Sequence, residues 1–122
     1  MPDHRATLGQ HGEELACRHL QRAGCAILAR RYRRRGGEID IVARDGDTLV
    51  FVEVKARVGL SFGGGADAVT ALKQRRIVQL ARDYVMRHHV GECPCRFDVI
   101  AIDVGSSVTP SIEWYKSAFD AA

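Results

Sequence analysis

The spacing of apolar residues predicts the element order helix, three strands, helix, strand. Ala16, Leu20 and Ala23 recur at helical spacing and predict a first helix over residues 8–23, which ends at Gly24. Alternating and continuous apolar runs predict strands over residues 25–33, 38–44 and 48–57. A second apolar stripe predicts a long helix with Thr70 as its N-cap, followed by strands over residues 96–104 and 112–116. This order indicates an α/β fold, a mixed sheet flanked by helices on both faces.

Two adjacent glutamates of the first helix are predicted to point in opposite directions. Glu13 shares its helix face with Ala16 and Leu20, so we expect it to face the sheet. Glu14 lies four residues before Arg18, which predicts a pair on the solvent side.

The bulk composition favours a folded protein with little overall charge. The 122 residues are 46% hydrophobic, and 18 basic against 15 acidic residues give a net charge of +3. We assign one domain to residues 1–122, with a core over about 8–104 and a C-terminal edge strand and tail over about 105–122. Since neither a membrane span nor a secretory signal is visible, we expect a cytoplasmic protein with four reduced cysteines.

Charged residues interrupt the most apolar part of the chain. The run over residues 49–55 predicts a buried strand, yet it ends in Glu53 and Lys55, and the strand before it begins with Glu38 and Asp40. Buried charge is costly unless it is paired, so these residues need a partner. We favour a divalent metal ion beside a scissile phosphate; the alternative is an ion-pair network at one end of the sheet.

The turn between these strands predicts how they pair. A two-residue loop of Asp45 and Gly46 is typical of a regular hairpin. The resulting opposite pairs are Arg44 with Asp47, Asp40 with Phe51, and Glu38 with Glu53. This register places Glu38, Asp40, Glu53 and Lys55 on one face, where a bound cation or the lysine must offset the carboxylates.

Basic residues form two clusters, which we interpret as contacts to nucleic-acid phosphates rather than as a merely solvated surface. Five arginines surround Tyr32 in residues 30–35, and a second cluster lies near the start of the second helix. The predicted nucleic-acid-binding residues are Arg31, Arg33, Arg34, Arg35, Lys73, Arg75 and Arg76.

Two other motifs carry less weight. Cys93-Pro94-Cys95 lacks the usual spacing of a zinc site, so we interpret it as a tight turn. The glycine-rich segment over residues 59–65 lacks the ending of a phosphate-binding loop, and we interpret it as a flap anchored by Phe62.

Several motifs together resemble a known family. They are Gly9-x-x-Gly12-Glu13, Gly37-Glu38-Ile39-Asp40, the segment over residues 45–55 with Glu53-Val54-Lys55, and Arg96-Phe97-Asp98-Val99-Ile100. Together they resemble the YraN family of bacterial endonuclease-like proteins, within the PD-(D/E)XK nuclease superfamily and similar to archaeal Holliday-junction resolvases. The resemblance covers residues 8–104 and implies a restriction-endonuclease-like α-β-β-β-α-β core.

The resemblance also implies a set of site residues. Glu13, Asp40, Glu53 and Lys55 take the catalytic positions. Asp40, Glu53 and Glu13, with the backbone carbonyl of Val54, are the implied ligands of Mg²⁺ or Mn²⁺, and Lys55 positions or activates water. Glu38 is left open as a ligand or as an outer acceptor for Lys55 or an arginine. YraN-type sequences commonly have an asparagine where this chain has Arg31 or a neighbour, which we interpret as an altered surface contact.

These observations lead us to expect a Mg²⁺-dependent endonuclease that hydrolyses DNA. By analogy with resolvases, the substrate is structured or branched DNA and the protein is a homodimer. The alternative is a nucleic-acid-binding module that has the nuclease fold but little or no turnover. An RNA nuclease is a third option, because nothing in the chain distinguishes the sugar.

Overall fold

The computed structural model describes residues 4–58, 69–105 and 109–121, and it confirms the predicted order of elements. The expected flap over residues 59–65 lies outside the described residues. The elements are α1 (His4–Arg22), β1 (Ala26–Arg34), β2 (Gly37–Asp45), β3 (Thr48–Arg57), α2 (Ala71–Arg87), β4 (Cys95–Asp103) and β5 (Ser111–Phe119). The first helix begins four residues earlier than predicted, and the fifth strand is longer than predicted.

The strands form one mixed sheet with a helix on each face, as predicted. The spatial order is β1-β2-β3-β4-β5; β3 and β4 pair in parallel, and the other neighbours pair antiparallel. On one face Ala16 and Leu20 of α1 pack with Val52 and Ile100 of the central strands. On the other face the buried stripe of α2 packs with apolar residues of the same strands, among them Phe51. Because β3 is covered on both sides, charges at its end are held in a largely dry environment.

Thr70 is the N-cap of α2, as predicted, and its hydroxyl accepts a hydrogen bond of 3.2 Å from the backbone N–H of Lys73. On α1, Glu14 pairs with Arg18 at 3.4 Å on the exposed side, which confirms the predicted solvent-side pair.

The predicted register of the β2–β3 hairpin is wrong by two residues. The loop consists of Gly46 and Asp47, and it places Asp45 opposite Thr48 and Ile41 opposite Val52. Gly46 comes first in the loop and has a φ of +61°, a backbone conformation that glycine adopts without steric cost. The predicted pairs therefore do not form: Arg44 with Asp47, Asp40 with Phe51, and Glu38 with Glu53. A slip of two residues preserves which side chains share a face, whereas a slip of one would reverse them.

The β2 strand changes face at Asp40. Residues two apart in a regular strand lie on the same face, yet Ile39 packs in the α2 core and Ile41 packs in the α1 core. The facing residue on β1 is Arg31, between the pairs Arg30–Ile41 and Tyr32–Ile39, and its φ is +52°. Both strands are thus distorted at this level. The β2–β3 ladder ends at the pair Ile41–Val52, so Asp40, the next residue toward the start of β2, is not paired with β3.

A completely buried carboxylate, Asp98 on β4, joins three parts of the sheet. It accepts hydrogen bonds from Arg96 Nε (3.0 Å), from Trp114 Nε1 (2.9 Å) and from the backbone N–H of Ser117 (3.0 Å). Arg96 also donates to Asp45 at the end of β2, at 3.1 Å. The carboxylate therefore ties β4 to β5 and, through Arg96, to the hairpin turn.

Candidate functional site

A cavity of about 390 Å³ lies where α1, β2, β3 and the start of α2 meet. The structure brings five of the predicted site residues into its lining: Glu13, Asp40, Glu53, Lys55 and Lys73. We call this cavity the carboxylate pocket. Glu38 is not part of it; this side chain lines a neighbouring cavity and accepts a 2.6 Å hydrogen bond from Arg33. Of the roles left open for Glu38, the structure shows pairing with an arginine.

Asp40 and Glu53 are two acids held together in a largely buried site. Because the β2–β3 ladder stops before Asp40, its carboxylate accepts a 2.8 Å hydrogen bond from the backbone N–H of Val54. Burial raises the pKa of Asp40 to about 8; the charge of Glu53 acts in the same direction, and the Val54 hydrogen bond opposes it. Without a cation, the pair therefore retains a proton at neutral pH.

Two lysines reach Glu53 from different elements. Lys73 Nζ lies 2.5 Å from Glu53 Oε1, and Lys55 Nζ lies 3.7 Å from the same atom. Burial, reinforced by the charge of Lys73, lowers the pKa of Lys55 despite the nearby Glu53. Burial acts to lower the pKa of Lys73 too, but the hydrogen bond and charge of Glu53 outweigh it and the pKa is raised. The pocket thus holds two ammonium groups of different acidity beside one carboxylate.

The sequence predicts Lys73 as a contact to nucleic-acid phosphates and does not predict its position beside Glu53. A signal was present in the sequence. Lys73 lies in the first turn of α2, where the helix dipole disfavours a cation, and that turn contains no acidic residue. A lysine at such a position is stabilised by an acid from another element, and here that acid is Glu53.

Glu13 faces inward from α1, as predicted, and is only 9% exposed. It accepts a 2.9 Å hydrogen bond from Arg31 Nε, while the preceding residue, Arg30, pairs with Glu14 at 3.2 Å. Two consecutive strand residues ordinarily point to opposite faces. The positive φ of Arg31 accounts for both arginines reaching the same helix, and it places a guanidinium at the edge of the pocket.

Gly12 allows α1 to approach β3 closely enough to place Glu13. A Cβ atom at this position would lie 2.8 Å from Cβ of Ala56, closer than packed carbon atoms approach. Gly9, one turn earlier, has nothing within 4 Å of the equivalent position. The two glycines of the Gly-x-x-Gly-Glu motif therefore differ in function, and Gly12 is the one that sets the helix–strand distance.

We expect Gly12→Ala to destabilise the protein by about 1–3 kcal/mol, because the added methyl group overpacks the helix against β3. Gly9→Ala is the matched control and should stabilise it by roughly 0.5–1 kcal/mol through helix propensity. Urea unfolding of both variants measures the difference. Equal effects of the two substitutions would contradict the assigned role of Gly12.

The donor atoms of the pocket fit a hard divalent cation. Mg²⁺ prefers oxygen ligands, and the pocket offers the carboxylates of Asp40 and Glu53. The backbone carbonyl of Val54 adds a third oxygen, because a strand residue points its C=O toward the same neighbour as its N–H, which here is Asp40. Within the described ranges, no three His, Cys, Asp or Glu side chains converge on one metal position, and Glu13 is held by Arg31.

The remaining basic residues are separated by the structure into three groups. Arg33 is exposed and pairs with Glu38. Arg75 lines a cavity with Arg82 and Asp120, on the side of α2 away from the carboxylate pocket. A third group lines one cavity between α2 and the β1–β2 turn: Arg34, Arg35, Arg76 and Arg87.

The fold and the pocket together define a restriction-endonuclease-like α/β protein, with acids and lysines gathered at the end of the central β3 strand. The chain belongs to the uncharacterised protein family UPF0102, whose model matches residues 12–102. This finding confirms the resemblance to the YraN family.

The relatives match over nearly their whole length. A UPF0102 protein of Rhodococcus opacus is 48% identical over 95% of this chain and 98% of its own length. One of Ralstonia nicotianae is 50% identical over 97% of this chain and 90% of its own. One of Geobacter sulfurreducens is 47% identical over 98% of this chain and 93% of its own length. Neither helix in the described part of the chain has the length and apolar character needed to cross a membrane.

Proposed function

We propose that this protein is a Mg²⁺- or Mn²⁺-dependent endonuclease that hydrolyses phosphodiester bonds of DNA. The observation that carries the proposal is the convergence of Asp40, Glu53 and Lys55 on one pocket, with the Val54 carbonyl at its edge. Structural ion pairs rarely need two acids that compete for one proton, whereas a cation site does.

In this proposal, Asp40, Glu53 and the Val54 carbonyl hold the metal ion. When bound, such an ion polarises the phosphate and makes its water more acidic. Lys55 lies beside Glu53 and is half-buried, so its ammonium donates hydrogen bonds to the attacking water or to the phosphate oxygens as negative charge develops. Glu13, oriented by Arg31, accepts a hydrogen bond from a water molecule on the α1 side of the pocket.

Lys73 balances the charge of Glu53 before a cation arrives. Its Nζ contacts Glu53, and its side chain also lines the cavity that continues along α2. A metal ion held by Glu53 would take over this charge balance, and the Lys73 ammonium would then be placed to donate to the phosphate next to the scissile one. Lys73 is therefore proposed as a substrate-positioning residue.

The substrate follows from the basic residues and from the fold. Arg31 of β1 pairs with Glu13 of the pocket, and four further arginines line a separate cavity along α2, which suits a polyanion. Likeness to resolvases suggests branched DNA cut by a two-fold dimer, and that part rests on fold analogy. The cytoplasm is proposed as the location, as expected from the sequence.

A second candidate function is binding without cutting. The observation that favours it is the close Lys73–Glu53 ion pair, since an ammonium that stays on Glu53 competes with a metal ion for the same oxygen. A nuclease-derived binding module would show this arrangement permanently.

Cleavage of a labelled substrate panel distinguishes the two functions. Linear duplex, single strand, flap, four-way junction and RNA are each incubated with Mg²⁺, Mn²⁺ or EDTA. We expect metal-dependent cutting that falls at least about a hundredfold in Glu53→Gln, because even indirect partners of a metal ligand cost 10- to 100-fold. Glu14→Gln, an exposed acid next to Glu13, is the matched control and should cut normally.

Salt-sensitive binding without cutting on any substrate would support the binding module instead. The panel also identifies the preferred sugar and branch structure, because each substrate is scored separately. Cutting that persists in EDTA would contradict a metal-dependent mechanism.

A further inference from the structure

Three cavities that share wall residues follow one another along α2 from the carboxylate pocket, and together we call them the groove. Lys73 lines both the carboxylate pocket and a middle cavity of about 300 Å³. Arg76, Leu80 and Gly36 line both this middle cavity and a third one of about 210 Å³. The shared walls place the three cavities side by side, from the two acids, along α2, to the turn between β1 and β2.

The residues of α2 that face this groove lie on a single helical stripe. Lys73, Arg76, Leu80, Asp83 and Arg87 are spaced by three or four residues, so they follow one face of the helix. Leu80, on the wall of the third cavity, is seven residues from Lys73, which is roughly 10 Å along the helix axis. The third cavity is therefore too far from the carboxylate pocket to receive the same phosphate.

The third cavity has a surplus of positive charge. Its lining contains Arg34, Arg35, Arg76 and Arg87 but a single acid, Asp83. Asp83 is already engaged, with Arg87 at 2.9 Å, Arg34 at 3.4 Å and the Tyr32 hydroxyl at 2.6 Å.

Two of the four guanidinium groups are available for a ligand. Within the described residues, neither Arg35 nor Arg76 takes part in an ion pair or a side-chain hydrogen bond. The volume corresponds to that of about seven water molecules, which accommodates a phosphate group and a few waters. Planar guanidinium groups that converge on a concave site are suited to phosphate oxygens.

We propose that the third cavity binds a second phosphate of the nucleic-acid strand whose scissile phosphate lies in the carboxylate pocket. The inference rests on the proposed function and adds the path of the strand: along α2, from Lys73 past Arg76 to the β1–β2 turn. The phosphate is either an internal phosphodiester or a terminal phosphomonoester, since the cavity recognises the chemistry that both share.

Equilibrium binding of DNA in EDTA, where no metal-dependent cleavage occurs, tests whether the third cavity binds a phosphate. The probes are a short fluorescent single-stranded DNA and its duplex, each with a 5′-phosphate or a 5′-hydroxyl, measured by anisotropy over a range of salt. We expect Arg76→Gln to weaken binding roughly five- to tenfold and to reduce the slope of log K against log salt by about one. Arg35→Gln should have the same effect and provides a second variant from a different element.

Arg82→Gln is the matched control, because it removes the same charge from a residue of α2 that lines a different cavity. Equal losses of DNA affinity in Arg76→Gln and Arg82→Gln would overturn the proposal that the third cavity binds a phosphate. The proposed function would still stand if the wild-type protein binds DNA. Absence of salt-sensitive binding by wild-type protein would remove both proposals. A loss with all probes indicates an internal phosphate, and a loss confined to 5′-phosphorylated probes indicates a strand end.

Discussion

Asp40→Asn is expected to abolish metal-dependent cleavage and, in EDTA at pH 8, to make the protein more stable than wild type. The first effect follows from removing a charged metal ligand. The second follows because burial of Asp40, reinforced by repulsion from Glu53, raises the pKa of Asp40 from 3.8 to about 8. Asparagine preserves the shape and still offers an oxygen to the N–H of Val54.

The pH dependence of this effect has a definite sign. Between pH 3.8 and about 8, the folded state keeps the Asp40 proton while the unfolded state has lost it. The free energy of unfolding of wild type therefore falls as pH rises through that window. Asparagine does not titrate, so the advantage of Asp40→Asn should grow from near zero at about pH 4 to about 1–3 kcal/mol at pH 8, after allowance for relaxation of the site.

Urea unfolding at several pH values in EDTA, combined with the cleavage panel, measures both effects on one variant. Glu14→Gln controls for the loss of an acid from an exposed position and should change neither readout. If Asp40→Asn were less stable than wild type at pH 8, the two acids would not be in electrostatic conflict, and a cation site would lose its main support. Unchanged cleavage would exclude Asp40 as a ligand.

Asp98→Ala is expected to cause the largest loss of stability of any substitution considered, about 3–5 kcal/mol, because it removes a fully buried acceptor and leaves its donors, among them the largely covered Arg96, without it. Among the described residues, Arg96 would retain Asp45 as its one remaining acidic partner. The indole N–H of Trp114 and the backbone N–H of Ser117 would lose their acceptor in the same step. Against a typical total of about 5–15 kcal/mol, this loss is a large fraction of the stability of a small domain.

Chemical denaturation with urea measures this effect, and two further variants define its origin. Asp98→Asn keeps an acceptor and the side-chain volume, so its free energy of unfolding should fall clearly less than that of the alanine variant. Asp47→Ala, in the exposed hairpin loop, should stay within about 0.5 kcal/mol of wild type. If Asp98→Ala were as stable as Asp47→Ala, the hydrogen-bond network around Asp98 would contribute nothing to the fold.

The sequence predicted the elements and the gathering of acids because those inferences depend on periodicity. Glu53 interrupts an apolar strand, and that conflict was visible without coordinates. The hairpin register was wrong by two residues, yet Asp40 and Glu53 still met, since a slip of two preserves the shared face.

The parts that escaped prediction depend on contacts between distant segments or on local backbone irregularity. Lys73 joins Glu53 across twenty positions of sequence, and nothing in its own neighbourhood identifies that partner. The change of face at Asp40 breaks the two-residue period on which strand prediction relies. Asp98 looks like an ordinary polar residue of a strand until its donors, which come from β5 and from Arg96, are assembled around it.

The left-handed backbone at Arg31 restricts which substitutions this position tolerates, independently of charge. A φ of +52° suits glycine, asparagine and aspartate, whereas β-branched residues are strongly disfavoured there. The asparagine of the YraN pattern corresponds to Arg31 or a neighbour. At position 31 itself, an asparagine would relieve backbone strain and give up the guanidinium that holds Glu13. A variant with asparagine at position 31 is therefore expected to keep the same main-chain path around the pocket, while its α1 wall is held less firmly than with arginine.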